Sequence, residues 1–486
     1  MDALLFALLV APPVVAAALA VLAPRATVLV SRLNVATMPI SVAAALWLAA
    51  GLVAGGPPAV VGTTWRIDAL SAMLALLVSV VSTLAVWMGP GLAPGAGPAR
   101  AEARLFRVYT NMFAATMLLA VTADNLGVMW VAIEASTVTS ALLIPLHRTK
   151  ASVEASWKYL LIGSVGIALA LTGTVLTFVD YASTGATVDL ALNWTTLVTA
   201  APGLHPEVAR LAFVFLLVGF GTKAGLVPMH TWLPDAHSEA PAPLSAMMSG
   251  VLLAVALYAL ARWKTLVDLT LGTTFTETLL LIVGVATIAL GSLSLVTQRD
   301  YKRLLAYSSI EHVGLACFGL ALGAPGLFAA LFHVTGHALA KSVAFLLSGR
   351  ILLRYGTHEI AAAPGVAEAL PATGGLFAIS VLALGGLPPF GLFLSEMLLV
   401  RAGWIAGREI LTGVVLVLLL VAFGSLVHHT QRLLLGAPPA GVSVGERVTW
   451  TTAVLALPLV ALAWIGVSMP SGLRHLLTQA VEALHP

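Results

Sequence analysis

Five ionisable residues stand where an apolar chain should have none. Lys223, Lys341 and Glu134 lie inside long hydrophobic runs, Glu396 follows a run broken by "GGLPPFG", and Glu311 lies near the start of another. A charge at the bilayer centre costs about 2.5–3.5 kcal/mol on insertion scales, so acids and bases held there pair, face a hydrated cavity and mark an ion path. The run "LFHVTGHALAKSVAFLL" adds His333 and His337, which with Lys341 fall at i, i+4 and i+8 and share one helical face. Two histidines at that spacing could bind zinc, and a membrane histidine could ligate haem. A protonated lysine on the same face disfavours a cation, and no third ligand is apparent, so neither a metal nor a cofactor is expected. Histidine titrates near neutrality and a desolvated lysine can release its proton there, so a proton relay uses all three residues. His230 and His237 flank a Trp232-Leu233-Pro234-Asp235 turn and are either solvated loop residues or accessory to that path.

These residues need elements that hold them in lipid. The chain has 486 residues, 59% hydrophobic and 9% charged, which excludes a soluble globular domain and leaves a polytopic, all-α membrane protein. The single cysteine, Cys317, excludes disulfides, cysteine-ligated iron-sulfur clusters and thiolate zinc sites within the chain, so any redox centre belongs to a partner. No nucleotide loop, cofactor motif or nucleophile elbow is present, and the formal charge of +3 requires no nucleic acid. The opening "MDALLFALLVAPPVVAAALAVLAPR" lacks the basic start of a signal peptide and reads as a retained first span.

A spanning helix needs about 20 apolar residues. Dividing the chain at its charged and Pro/Gly clusters predicts about fourteen spans, beginning near residues 3, 33, 69, 105, 126, 157, 209, 243, 277, 304, 327, 372, 409 and 449. Connections after odd-numbered spans hold fifteen of the 24 lysines and arginines, including Arg25, Arg100 and Arg107; the opposite side holds seven, including Arg66, Arg262 and Lys264. By the inside bias of basic residues, both termini face outward. Lys223 and Lys341 are then the two basic residues left inside spans.

The seventh span reaches Lys223 and breaks at Gly225 and Pro228; the twelfth breaks at Gly385, Gly386, Pro388, Pro389 and Gly391, then reaches Glu396. Interrupted helices in matching positions of two halves point to a transport site. Five spans separate the breaks, and an odd offset inverts the second copy. This predicts inverted five-helix repeats, spans 4–8 and 9–13, within segments 1–104, 105–262, 263–435 and 436–486. The tail "SGLRHLLTQAVEALHP" has an apolar face at helical spacing and is expected to lie in the membrane interface.

Over about residues 60–435 the chain resembles the antiporter-like proton-translocating subunits shared by respiratory complex I, Mrp-type sodium/proton antiporters and group 4 membrane-bound hydrogenases. The blocks that carry the resemblance are "KAGLVPMHTWLPDAHSEAPAPLSAMMSGVLL", "YKRLLAYSSIEHVG", "LFHVTGHALAKS" and "LGGLPPFGLFLSE". The resemblance implies two inverted five-helix bundles in the cell membrane of a prokaryote, within a complex of other membrane and soluble subunits, in which this chain is the non-redox part. It implies a fifth-span glutamate, Glu134, paired with a seventh-span lysine, Lys223, and a midplane axis continuing through His337, Lys341 and Glu396. Many relatives carry a lysine or histidine in the eighth span where this chain has Ala254, so water, Tyr258 or His333 must bridge the gap. That substitution, with Glu311 and His312 in "SSIEH" and the "LPPFGLFLSE" spelling, is most similar to the F-type large subunit of group 4 hydrogenases. Proton translocation is the expected function, with an Mrp-type cation/proton antiporter subunit or a non-conducting platform as alternatives.

Overall fold

The computed structural model describes residues 1–23, 27–89 and 98–485, the side chains of 27, 28 and 98–100 excepted. Arg25 lies outside the described residues, and so does the side chain of Arg100. The chain is a helical bundle with one small exception to the all-α expectation: β1 (Ala59–Val61) and β2 (Trp65–Ile67) form an antiparallel hairpin, with Val60 opposite Arg66. Asp2 ties the chain start to that hairpin by accepting from Val60 N at 3.2 Å.

The first helices are α1 (Asp2–Leu22), α2 (Thr27–Val53), α3 (Ala69–Met88), α4 (Pro98–Thr122), α5 (Leu126–Leu143) and α6 (Lys150–Ser183). After the short α7 (Trp194–Ala200) come α8 (Pro206–Ala224), α9 (Trp232–Glu239) and α10 (Ala242–Met247), which runs through the π-helical turn Met248–Leu252 into α11 (Leu253–Leu271). Then follow α12 (Thr274–Leu295), α13 (Tyr301–Leu320), α14 (Gly323–Tyr355), the single turn α15 (Val366–Ala369), α16 (Pro371–Leu384) and α17 (Gly391–Ile405). The last are α18 (Glu409–Leu434), α19 (Trp450–Val467) and α20 (Ser471–Leu484).

Twelve helical segments among the described residues are long and apolar enough to cross a membrane. The other two expected spans differ for visible reasons. α13 carries Lys302, Arg303 and Glu311, and α16 and α17 are halves of 14 and 15 residues separated by the Gly/Pro break. The central stretches of the α10–α11 rod and of α14 are almost wholly buried, whereas α18 turns Ile410, Val417 and Leu420 outward with at least 63% of each exposed. Such an apolar perimeter around a buried polar centre is the arrangement of a multi-pass membrane protein. Small residues let the inner helices close up: a Cβ added at Gly219 of α8 would stand 2.6 Å from Ala170 of α6.

Each end of the bundle is tied to itself. At one end Lys158, Asp235 and Arg303 join connections around α6, α9 and α13, with Arg303 Nη1 2.7 Å from Asp235. At the other, Arg262 lies buried against Asp68, and Trp194 Nε1 donates to the Arg262 carbonyl at 3.1 Å. Arg262 thus corrects the expectation that Lys223 and Lys341 alone are held inside. Arg107 and Lys302, also assigned to connections, are buried within α4 and α13 at 5% and 2% exposure. Charge sorting by segment misses a base whose partner lies on another helix. In the tail, Leu476, Leu477 and Ala480 of α20 are buried against protein, chiefly α3 with α14 and α2, and Leu484 O accepts from Thr265 Oγ1 of α11 at 2.8 Å.

Candidate proton-relay site

The first polar cluster forms where α8 ends. Gly225 adopts φ 79°, its N–H and that of Leu226 close back on Thr222 O and Gly221 O, and the chain turns through a cis Val227–Pro228 bond. A residue with a Cβ resists that left-handed conformation, which is why glycine stands here. The freed carbonyl of Thr222 also accepts from Trp232 Nε1 at 2.8 Å, and Thr287 Oγ1 accepts from Val227 N at 3.0 Å, so the break leaves its backbone satisfied. The turn expected at Trp232–Asp235 is the start of α9.

Lys223, 1% exposed, sits in the last turn of α8, two residues before Gly225. It does not touch Glu134 directly. Its ammonium donates to Thr137 Oγ1 at 2.8 Å and to Tyr159 Oη at 2.6 Å, and Thr137 Oγ1 in turn donates to Glu134 Oε2 at 3.1 Å. Ser164 Oγ donates to the other carboxylate oxygen at 2.8 Å. The two branches differ in what they can carry. Tyr159 meets Ser140 at 2.8 Å, and Ser140 donates to the Ser136 carbonyl at 2.6 Å, a group that accepts a hydrogen bond but no proton. The Thr137 branch ends on a carboxylate. One concerted shift, lysine to hydroxyl and hydroxyl to carboxylate, moves a proton from Lys223 to Glu134.

The second cluster lies between α13, α14 and α17. His333 and Lys341 are fully buried and His337 is 5% exposed. Lys341 Nζ donates to Leu305 O at 2.8 Å. His312, on α13, meets both histidines of α14: its Nδ1 is 3.0 Å from His333 Nε2, and its ring centroid is 5.2 Å from that of His337. His333 Nδ1 lies 2.9 Å from Ser395 Oγ, whose own hydrogen goes to Leu392 O at 2.7 Å. The tautomers follow from this order: His333 donates from Nδ1, its Nε2 accepts from His312 Nδ1–H, and His312 Nε2 is left bare. That bare nitrogen stands 3.6 Å from Glu311 Oε2, so two acceptors face each other and the pair calls for one proton.

Glu396 enters from the second break. Gly386 has φ 68°, and a Cβ built there would lie 2.1 Å from Glu396 Oε2, so the glycine serves both the turn and the carboxylate beside it. Gly386→Ala should therefore lower thermal stability by more than the about 1–2 kcal/mol of left-handed strain alone, and displace the Glu396 carboxylate. Gly375→Ala in α16, where an added Cβ meets nothing within 4 Å, is the matched control; thermal unfolding of both variants in detergent checks this.

The sequence-predicted residues are not all brought together. Tyr258 does not bridge the two clusters: its hydroxyl donates to Val121 O at 3.1 Å, and its ring lies under Arg262. Beside Ala254 is a cavity of about 20 Å³ lined by Leu70, Leu74, Leu257, Leu331 and Tyr258, too poor in polar partners to order a water chain. His237 is better placed. It is fully buried on α9, stacks on Phe345 of α14 at 4.9 Å and, among the described residues, has no hydrogen-bond partner for either ring nitrogen. Trp232 on the same short helix packs on Tyr159 at 4.7 Å. His230 is half-buried with Nδ1 unpartnered.

Several participants were missed. Thr137 lies one helical turn from Glu134 and Ser395 adjoins Glu396, so spacing could have found both; Tyr159 and Ser164 gave no signal. Asp300, Lys302 and His358 were also missed. Asp300 caps α13, accepts from Ser238 Oγ at 2.8 Å and binds His358 Nδ1, while Lys302 donates to Ser238 O at 2.6 Å and Ala240 O at 2.7 Å. The hydrogen bond to Asp300 raises the His358 imidazole against the effect of burial. Burial pushes Asp300 up, but His358 and the capping N–H groups hold it below its ordinary value. A raised histidine contributes stability that is full below its unfolded value near about 6.5 and is lost as pH rises through the folded one. The depressed Asp300 contributes above about 3.9 and loses its share as pH falls through its folded value. His358→Gln should therefore melt below the parent at about pH 6, the gap shrinking toward about pH 9, as thermal unfolding across that range would report.

A bundle of this form, with two broken helices and acids, lysines and histidines buried between them, is an antiporter-like membrane subunit. Residues 123–423 match the family described as NADH:quinone oxidoreductase/Mrp antiporter, transmembrane, and the chain belongs to it. It is 40% identical over 336 residues to the Hydrogenase-4 component F homolog of Methylacidiphilum infernorum, covering 68% of this chain and 70% of that one. It is 33% identical over 390 residues to NADH-quinone oxidoreductase subunit N of Desulforudis audaxviator, covering 76% and 75%. Among solved structures, a chain of the membrane-bound sulfane sulfur reductase, an archaeal respiratory membrane complex, superposes with TM-score 0.86 at 26% identity over 99% of this chain and 97% of that one.

Proposed function

We propose that this chain is the proton-conducting subunit of a redox-driven membrane complex of hydrogenase type. The observation that carries the reading is the Lys223–Thr137–Glu134 bridge, in which a buried ammonium reaches a carboxylate through one hydroxyl. Redox chemistry in a partner perturbs the Glu134 carboxylate; the Lys223 proton is then released or retaken through Thr137. Transfer continues by way of His237 to His337 and Lys341, on to His312 and His333, and leaves past Ser395 and Glu396, with Glu311 holding the proton that the bare His312 nitrogen calls for. His230 is accessory. Similarity to the hydrogenase-4 component supports the choice of complex, whose other membrane and soluble subunits would be the partners.

In this reading the bundle has fourteen spans, spans 4–8 and 9–13 are inverted repeats, and the end bearing Asp300 and His358 faces the cytoplasm of a prokaryotic cell with both termini outside. A second reading, a platform that docks soluble subunits without conducting, is favoured by the apolar cavity at Ala254. Proton uptake into energised vesicles carrying the assembled complex separates the two. The double substitution Glu134→Gln with Lys223→Ala should abolish uptake; uptake that survives it would sink the conducting role. Sodium-dependent pH change in the same vesicles would instead point to cation/proton exchange.

A further inference from the structure

His312, His333 and Glu396 come from three different helices, and each offers one ligand atom within 4.8 Å of the other two. All three are buried, Glu396 the least so at 8% exposure. We propose that they form a binding site for a divalent transition-metal ion of the zinc type, which enters the relay and blocks it. The site stands on geometry, and its blocking role rests on the proton-conducting reading above.

Two imidazoles and a carboxylate are the protein ligands of zinc sites that leave a fourth position to water, and imidazole nitrogen disfavours magnesium or calcium. Zn–N bonds of about 2.0–2.1 Å in a tetrahedron place two nitrogens about 3.3 Å apart. His312 Nδ1 and His333 Nε2 already stand 3.0 Å apart. The pair His333 and His337 on one helix lacked a third ligand; an ion between helices finds it in Glu396.

The outer nitrogens supply an independent observation. A ligating histidine donates its other N–H to an acceptor that fixes the ring. His333 Nδ1 has Ser395 Oγ at 2.9 Å, and His312 Nε2 has Glu311 Oε2 at 3.6 Å. When Nδ1 of His312 takes the ion, the ring proton moves to Nε2 and points at that carboxylate, so binding removes the facing-acceptor conflict. Protons held on either carboxyl group leave to solvent as the ion enters. Lys341, His337 and His237 also face this region. Lys341 is engaged with Leu305 O at 2.8 Å, and the charges of Glu311 and Glu396 balance the ion's own.

The test uses the full-length chain in detergent and Zn²⁺ itself as the probe. One saturable equivalent of Zn²⁺ is expected, with zinc-edge X-ray absorption showing two imidazoles and oxygen. Glu396→Gln or His333→Gln should weaken binding at least tenfold, and Ser395→Ala, which touches only the supporting hydrogen bond, by about 10–100-fold. His230→Gln should leave it unchanged. No saturable equivalent, absorption without imidazole, or binding indifferent to Glu396→Gln and His333→Gln would overturn the site. Zn²⁺ should also stop proton uptake in vesicles. A chain that binds zinc yet conducts nothing without it keeps the site and removes the conducting role, so the two failures are distinguishable.

Discussion

Thr137→Val should stop proton transfer as completely as Lys223→Ala, while Thr137→Ser should leave it running. Valine keeps the volume and branching of threonine but removes the one hydroxyl through which Lys223 reaches Glu134. Lys223 would retain Tyr159, which leads to a carbonyl and so to no proton acceptor. A proton-transfer step that loses its positioned group slows by about 10²–10⁴-fold, enough to erase uptake on the timescale of an energised-vesicle assay. Stability separates this from collapse: a buried donor left short of one partner costs about 1–3 kcal/mol, which a bundle of this size withstands. The complex should assemble normally with either Thr137→Val or Lys223→Ala. Normal uptake by Thr137→Val would mean that the hydroxyl is a structural contact and that Lys223 passes its proton elsewhere.

The sequence already marked the places where charge enters the bundle, because a lysine or glutamate inside an apolar run costs enough to need a reason. Lys223, Lys341 and Glu396 are buried beside breaks or inside α14, and Glu134 is half-buried on α5. What spacing could not show is how they are joined. Hydroxyls carry the connections and cause little disturbance in a hydropathy pattern, so Tyr159 and Ser164 give no signal, while Thr137 and Ser395 are marked only by standing one turn from Glu134 and next to Glu396. The same physics explains the misread bases. Arg262 looks like the edge of a loop, since its partner Asp68 lies 194 residues away, directly after the β1–β2 hairpin. His237 looked like a loop residue because Pro234 and Pro241 bracket it, yet a proline in the first turn of a helix is tolerated, and α9 forms around one.

Arg262→Ala should be among the most destabilising single changes in the chain, by about 3–5 kcal/mol, the cost of stranding a buried partner charge. The Arg262 side chain is 5% exposed and that of Asp68 7%; one guanidinium nitrogen lies 2.7 and 2.6 Å from the two carboxylate oxygens, and the cation stacks 4.3 Å from the Trp194 ring and 5.1 Å from that of Tyr258. Asp68 also caps α3 by accepting from Ser71 N at 3.0 Å. Removing the arginine therefore disturbs the hairpin, α3, α7 and α11 together. Burial pushes the Asp68 carboxyl up, but the Arg262 guanidinium holds it below its ordinary value. The parent should then be stable above about pH 4 and lose this contribution as pH falls through the depressed value, whereas Arg262→Ala, with its carboxylate uncompensated, should gain relative stability on acidification. Pairing Arg262→Met with Asp68→Asn keeps an acceptor for the α3 cap and buries no charge, so most of the loss should return. Thermal unfolding of the three variants in detergent at about pH 4.5 and about pH 7.5 measures both effects. An Arg262→Ala chain as stable as its parent at neutral pH would show that water reaches Asp68 from the loop side, and that the pair only orders the hairpin.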